Sequence, residues 1–265
     1  MGSSKGVSML VVPDCHAHAD YDNERFSALG EFINNRRPDT VVQGGDFADM
    51  PSLSQYDKGT RGFEGRRYWR DVEATLDAQN KLWAAVRSYN INRRKNKRRM
   101  YLPETHLLLG NHEDRINRAT NTHSELHGTI SIDDLQYHNY WDNVHPFKEL
   151  VNIHGWSMSH FFPAGLMGRP IGGEHVGAAL VKKQFKSCIA FHNHIFDLAE
   201  RTNADGEKLV GISAGCYVHP DYSEGWCANT VDMWWRGVIY LTGVRDGYYD
   251  TIEIITQREL MKGLK

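Results

Sequence analysis

At 265 residues, with 40% hydrophobic and 24% charged side chains, the chain has ordinary globular composition and is no disordered polymer. A formal charge of -2 excludes wholesale electrostatic capture of nucleic acid, so any polyanion contact must be local. No stretch approaches the roughly 18 apolar residues of a membrane span, and the four cysteines form neither a Cys-x-x-Cys pair nor a dense disulfide framework.

The first ten residues lack the apolar core of an export signal. With the cysteine usage, this predicts a soluble, cytoplasmic protein with no membrane contact and no obligatory protein partner. Residues 8–12 are a short apolar run stopping at Pro13-Asp14, the pattern of a buried strand. Phe26, Leu29, Phe32 and Ile33 then recur at helical spacing over 22–37, with Asp22 as N-cap and Pro38 as stop. Residues 40–43 predict a second strand closed by Gly44-Gly45-Asp46, so the opening reads as a βαβ unit on a parallel sheet.

A polar, aromatic loop over 50–65 leads into a long amphipathic helix over 66–92. Tyr56, Phe63, Tyr68 and Trp69 alternate here with Arg61, Arg66, Arg67 and Arg70. Such a mixture either packs its rings inward and solvates its arginines, or stacks bases and neutralises phosphates. The basic run 93–99 fits a solvated helix end or a phosphate contact. Residues 105–109 predict a third strand, ending in Gly110-Asn111-His112-Glu113.

Mixed helical segments follow to about residue 143, then strands at 149–162, 186–191, 208–213, 237–242 and 248–255. One helix fits within 174–186, and Arg245-Asp246-Gly247 signals a hairpin turn. Trp226, Trp234 and Trp235 are expected in the core or at its rim. With no repeat or linker, the expectation is a single domain, 1–265, carrying an aromatic and basic insertion around 50–100. βα units first and hairpins later predict an α/β fold, a four-layer αββα sandwich with two mixed β-sheets.

Fourteen histidines are a high load, and spacing singles out a few. Three apolar strands end in metal-competent clusters: Asp14-Cys15-His16, Gly45-Asp46 and Gly110-Asn111-His112. Ligands at the carboxyl ends of adjacent strands converge at one edge of an α/β sheet. Later runs end in His160 and in His192-Asn193-His194. Each signal is weak alone; five in order, each at a predicted strand end, point to one site.

This series resembles the calcineurin-like metallophosphoesterase family. That family's pattern runs Asp-x-His, Gly-Asp-x-x-Asp, Gly-Asn-His-Glu/Asp, a strand-end His, then Gly-His-x-His, and the likeness spans residues 11 to 194. It implies the αββα fold and hydrolysis of phosphomono- or phosphodiester bonds by a metal-bridging hydroxide. Position by position, it implies that Asp14, His16 and His194 hold one metal and Asn111, His160 and His192 the other, with Asp46 bridging. The cofactors implied are two divalent transition-metal ions, manganese first, with iron, zinc or nickel as alternatives. His112 is implied as the acid for the leaving group, oriented and kept cationic by Asp49.

His154 competes with His160, but Ile153-His154-Gly155-Trp156 reads as the turn before the ligand strand. Arg115 either reaches a substrate phosphate or sits in a surface ion pair. Two positions depart from the pattern. Met50 follows Asp49 where Ser/Thr protein phosphatases of the family carry Arg, and Phe191 opens the last block where Gly is usual. The partner expected is a phosphate-ester substrate, with a DNA or RNA nuclease as the alternative reading. Below these stand a protein phosphatase, a non-catalytic binding module, and a PHP-type phosphoesterase suggested by Asp14-Cys15-His16-Ala17-His18.

Overall fold

The computed structural model describes residues 6–223, 227 and 230–263. Trp226 lies outside the described residues. The chain opens with β1 (Val7–Val12), α1 (Glu24–Arg36), β2 (Thr40–Gln43), α2 (Tyr68–Lys95), β3 (Glu104–Leu108) and α3 (Asp114–Thr122). Short strands follow: β4 (Asn143–His145), β5 (Val151–Ile153), β6 (Trp156–Ser159), β7 (Pro163–Ala164) and β8 (Arg169–Pro170). The remainder comprises α4 (Val176–Gln184), β9 (Cys188–Ala190), β10 (Phe196–Thr202), β11 (Lys208–Ala214), β12 (Gly237–Val244), β13 (Thr251–Thr256) and α5 (Gln257–Lys262).

Six strands form one sheet in the order β13-β12-β1-β2-β3-β4, and five form a second in the order β10-β11-β9-β6-β5. Both are mixed. In the first, β1 to β4 run parallel and β12 and β13 pair antiparallel at one edge. In the second, β6, β9 and β11 run parallel between antiparallel edges.

Alternation along the strands assigns the layers, because successive side chains point to opposite faces. Leu10, Val12, Val41 and Leu107 pack with Phe26, Leu29, Leu82 and Trp83 of α1 and α2. Their neighbours Met9, Val11, Val42 and Leu108 pack instead against Met158, Ile189 and Ile212 of the second sheet. Cys188 and Ala190 turn outward onto Val176 and Leu180 of α4. Two mixed sheets flanked by helices result, as the strand and helix periodicities predicted.

Local boundaries shifted for identifiable reasons. Helix α1 starts at Glu24 with Asn23, not Asp22, at its N-cap position; the Asp22 carboxylate accepts the Glu24 N–H at 2.9 Å from one residue further out. The sequence FDLAERT of β10 carries no clean period of two, because this edge strand is half-buried or exposed along its length. No helix of the described residues is long and apolar enough to cross a membrane.

Candidate metal centre

Strand register delivers the loops to one place. Val12 pairs with Gln43 and Gln43 with Leu107, so the loops after β1, β2 and β3 leave the first sheet at the same edge. In the second sheet Ser159 pairs with Ala190, and His160 and His192 emerge with ring centroids 5.2 Å apart. The loops are then tied together. Cys15 and His16 donate their N–H groups to the Asp46 carbonyl at 3.0 and 2.9 Å, and the His192 N–H donates to the Asp14 carboxylate at 3.1 Å. Gly110 is required where it stands, since a Cβ there would collide with the Asp46 carboxylate.

All seven expected ligands converge. Asp14, His16 and His194 form one group and Asp46, His160 and His192 another, the ligand atoms of each lying within 4.8 Å of one another. Asn111 joins the second group, its Oδ1 2.9 Å from His160 Nε2. Asp46 also groups with His16 and His112, so one carboxylate faces both sides of the cluster. His194 Nε2 lies 3.0 Å from Asp14 Oδ2, and His160 Nε2 and His16 Nε2 lie 3.3 and 3.7 Å from Asp46 Oδ2. Such separations are those of ligands held about 2.0–2.2 Å from a shared ion.

Hydrogen bonds on the far side of two rings fix which nitrogen faces inward. His160 Nδ1 donates to the Gly44 carbonyl at 3.0 Å, so Nε2 is the nitrogen turned toward Asp46 and Asn111. The Tyr222 hydroxyl donates to Asp49 Oδ2 at 3.0 Å, so at 3.2 Å it accepts the Nδ1 proton of His16. His16 Nε2 is then the buried nitrogen turned toward Asp46, with no hydrogen-bond partner among the described residues. A buried nitrogen left unpaired beside carboxylates is costly unless a proton or a metal cation stands between them. The donor set fits divalent transition metals: imidazole nitrogens, carboxylates and one amide oxygen.

Backbone strain concentrates at the same place. His16, Asp46, Met50, His192 and His194 all have positive φ, from 46° to 69°. Non-glycine residues in this region cost about 1–3 kcal/mol each and persist only where their surroundings hold them.

Burial works against ionised Asp14 and Asp46, yet the neighbouring imidazoles, His160 foremost, hold both below the ordinary carboxylate range. Burial would also lower His160, but Asp46 and Asp14 outweigh it and push its pKa up to about 10. His16 is raised in the same way, against burial, by Asp46 and Asp49. Desolvation lowers His194 and, aided by the charge on His160, takes His192 down to about 4. Ionised carboxylates thus draw positive charge into the centre, which protons supply in the free protein and divalent ions would supply in the loaded one.

His112 and Asp49 meet as expected, with Nδ1 donating to Asp49 Oδ1 at 2.7 Å. Burial opposes the Asp49 charge, but His112 and His16 hold that carboxylate well below its usual range. Burial lowers the pKa of His112, the Arg115 guanidinium lowers it further, and Arg115 donates to Nε2 at 3.1 Å. Arg115 also donates to the Asp49 and Met50 carbonyls at 3.0 and 3.3 Å, and its NH1 lies 3.8 Å from the buried Asp49 carboxylate, so its ion pair belongs to the centre and not to the surface.

No family model and no curated protein matches the chain. Among solved structures, TT1561 of Thermus thermophilus aligns over 96% of this chain and 100% of its own, at 9% identity and a TM-score of 0.37. A second solved chain aligns over 95% of this one and 99% of its own, at 10% identity and a TM-score of 0.39. Similarity at that level carries no functional information; the side chains do.

Two functional neighbours escaped the sequence. Tyr222 had no motif around it. Glu113 stood inside the Gly-Asn-His-Glu block without a role, and it is fully buried. Its carboxylate accepts the N–H groups of Asp46, Gly110 and Ala48 at 2.8–3.0 Å and the Tyr137 hydroxyl at 2.9 Å, pinning two ligand loops to one another.

Other residues lie outside the ligand groups, His18 among them although its Nε2 is 3.9 Å from Asp49 Oδ2. His154 Nε2 contacts Thr40 Oγ1 at 2.8 Å in the β5–β6 turn, leaving His160 as the fourth-block residue in the cluster. His18 belongs to none of the three groups, and its Nδ1 accepts the Asp20 N–H at 3.0 Å. The basic run 93–99 ends α2, a helix of 28 residues spanning about 42 Å. That end lies beside Tyr101, whose hydroxyl reaches the Pro38 carbonyl before β2, so the run sits at the sheet edge opposite the centre. A phosphate contact made by that run would lie far from these ligands. Within the insertion, Tyr68 donates to Asp134 at 2.7 Å and Arg66 pairs with Asp57 at 2.9 Å, while Tyr56 lines a cleft beside the ligands.

Proposed function

We propose that the chain is a phosphoesterase that uses two divalent metal ions, built on the plan of the calcineurin-like metallophosphoesterases. The observation that carries this reading is the convergence of Asp46 with histidines of both sides of the cluster, the ligand atoms of each group lying within 4.8 Å of one another. Asp14, His16 and His194 would hold one ion and Asn111, His160 and His192 the other, with Asp46 between them. Two ions so placed supply an electrophilic clamp on the phosphoryl oxygens and acidify water for in-line attack.

The remaining residues handle protons and orientation. Asp49 holds the His112 ring by Nδ1 and aims Nε2 at the centre, where it lies 3.9 Å from Asp46 Oδ2. A phosphate oxygen taking over the Arg115 guanidinium would free Nε2 to take up a proton from solvent, and the ring, then cationic, would hand that proton to the leaving alkoxide. His18 lies outside the ligand groups, which weighs against the trinuclear alternative. Manganese is the preferred occupant of the O/N ligand set, with iron, zinc and nickel the alternatives.

The test is metal content and ester hydrolysis of purified protein loaded with Mn, Zn or Ni. The wild type should bind two ions per chain and hydrolyse aryl phosphomono- or diesters, with activity abolished by chelation. Asp46→Asn should lose metal and activity by about 100-fold. Activity that survives complete metal removal overturns the reading.

A further inference from the structure

The cleft beside the centre holds about 220 Å³ and opens on the ligands, since Asn111 and His192 form part of its wall. Its charged lining is Arg115 and Arg118, with no carboxylate among the described residues. Arg115 is committed to the Asp49 and Met50 carbonyls and to His112. Arg118 lies three residues further along α3, on the same helix face. Its NH2 donates to the Asn111 carbonyl at 2.8 Å and its Nε lies 3.6 Å from Asp114, while NH1 has no hydrogen-bond partner among the described residues. A half-exposed guanidinium anchored at two nitrogens is a preorganised fork for an anion.

The same cleft is aromatic. Phe161 leans on the His192 ring with centroids 5.6 Å apart. Tyr56 arrives from the loop after β2 and is 84% exposed, so burial in the fold does not explain its place. A small phosphomonoester would need the ions and Arg115 alone. An exposed ring and a second arginine at the exit of the centre match a planar base followed by another phosphate.

We infer that this cleft binds the nucleotide adjoining the scissile bond of a single-stranded nucleic acid, with Tyr56 stacked on its base and Arg118 on the next phosphate. This rests on the phosphoesterase reading and narrows its substrate class.

Two measurements separate the inference from that reading. The first is fluorescence anisotropy of a labelled thymidine trinucleotide on chelator-treated protein, which needs no catalysis. Tyr56→Ala and Arg118→Ala should each weaken binding about tenfold, and Tyr56→Phe should keep it. The second is kcat/KM with Mn for the trinucleotide and for bis(4-nitrophenyl) phosphate, which has neither base nor second phosphate. Tyr56→Ala should lose about tenfold on the trinucleotide and stay within about twofold on the aryl diester, while Arg118→Ala, which also loses the contact to the Asn111 carbonyl, should lose several-fold more on the trinucleotide than on the aryl diester. Equal losses on both substrates, no loss on either, or a phosphopeptide cleaved faster than the trinucleotide overturns the inference while leaving the phosphoesterase intact. A wild type inert on every ester with metal bound removes both.

Discussion

The hydroxyl of Tyr222 lies 3.2 Å from Nδ1 of His16, and its proton is already given to Asp49. A residue more than two hundred positions downstream thereby sets which His16 nitrogen faces the metal centre. Removing that hydroxyl takes away the acceptor that holds the Nδ1 proton, so the tautomer that turns Nε2 to the metal is no longer fixed. Tyr222→Phe should therefore weaken Mn or Zn binding about tenfold while the melting temperature of the metal-free protein stays close to that of the wild type. Competition against a chelating dye measures the first and thermal unfolding the second; undiminished affinity would sink the tautomer argument.

Glu113 makes a second, structural prediction. Each of its oxygens accepts a backbone N–H, so the amide of Glu113→Gln must turn its NH2 against a donor whichever way it flips. An unsatisfied buried donor costs about 1–3 kcal/mol, which for a domain of this size lowers Tm by roughly 2–12 °C. Tyr137→Phe removes one of four donors from the same carboxylate and should cost about 1 kcal/mol. Calorimetry on metal-free protein checks both, and a Glu113→Gln melting curve that overlays the wild type contradicts the pinning role.

The third prediction concerns pH. Asp71 is almost fully buried in α2. Burial raises its pKa from 3.8 to about 6, the Asp49 charge adds to this, and the Ser52 N–H donated to it at 3.0 Å opposes it. A carboxyl whose pKa is higher folded than unfolded favours the fold most when protonated. Its contribution is complete below about pH 4 and is lost as pH rises through 6. Relative to Asp71→Asn, which keeps an acceptor for Ser52, the wild type should lose on the order of 2 kcal/mol between pH 4 and 7. Urea denaturation at both pH values measures the difference; parallel behaviour of the two proteins would refute it.

The candidate ligands were legible in the sequence because each sits where an apolar strand ends, and strand ends are read from local pattern. Asp14, Asp46, Asn111 and His192 all obey that rule. What the residues beside them do depends on contacts far along the chain. Met50 is an example. It stands where a phosphatase arginine was missed, but its side chain is buried in the helix-side core, and Arg115 brings a guanidinium to its carbonyl from α3. Phe191 is another. The bulky ring in place of glycine is matched by Gly44 on the neighbouring sheet, where a Cβ would run into the phenyl ring. The phenyl ring and the missing side chain fit one another across the interface, a complementarity that no window of adjacent residues reveals. Tyr222 and the half-polar β10 were missed for the same reason, since neither carries a local period or motif.

The ligand groups draw Asp14, His16, Asp46 and Asn111 from loops of the first sheet and His160, His192 and His194 from loops of the second. Any ion bound there is a rivet through both halves of the sandwich. Neither half can form the centre until the other has docked, so metal uptake reports the completed tertiary assembly and would lag secondary structure during refolding. Chelators would accordingly loosen the seam between the sheets first, and stoichiometric metal content would serve as a gauge of how much of a preparation is natively assembled.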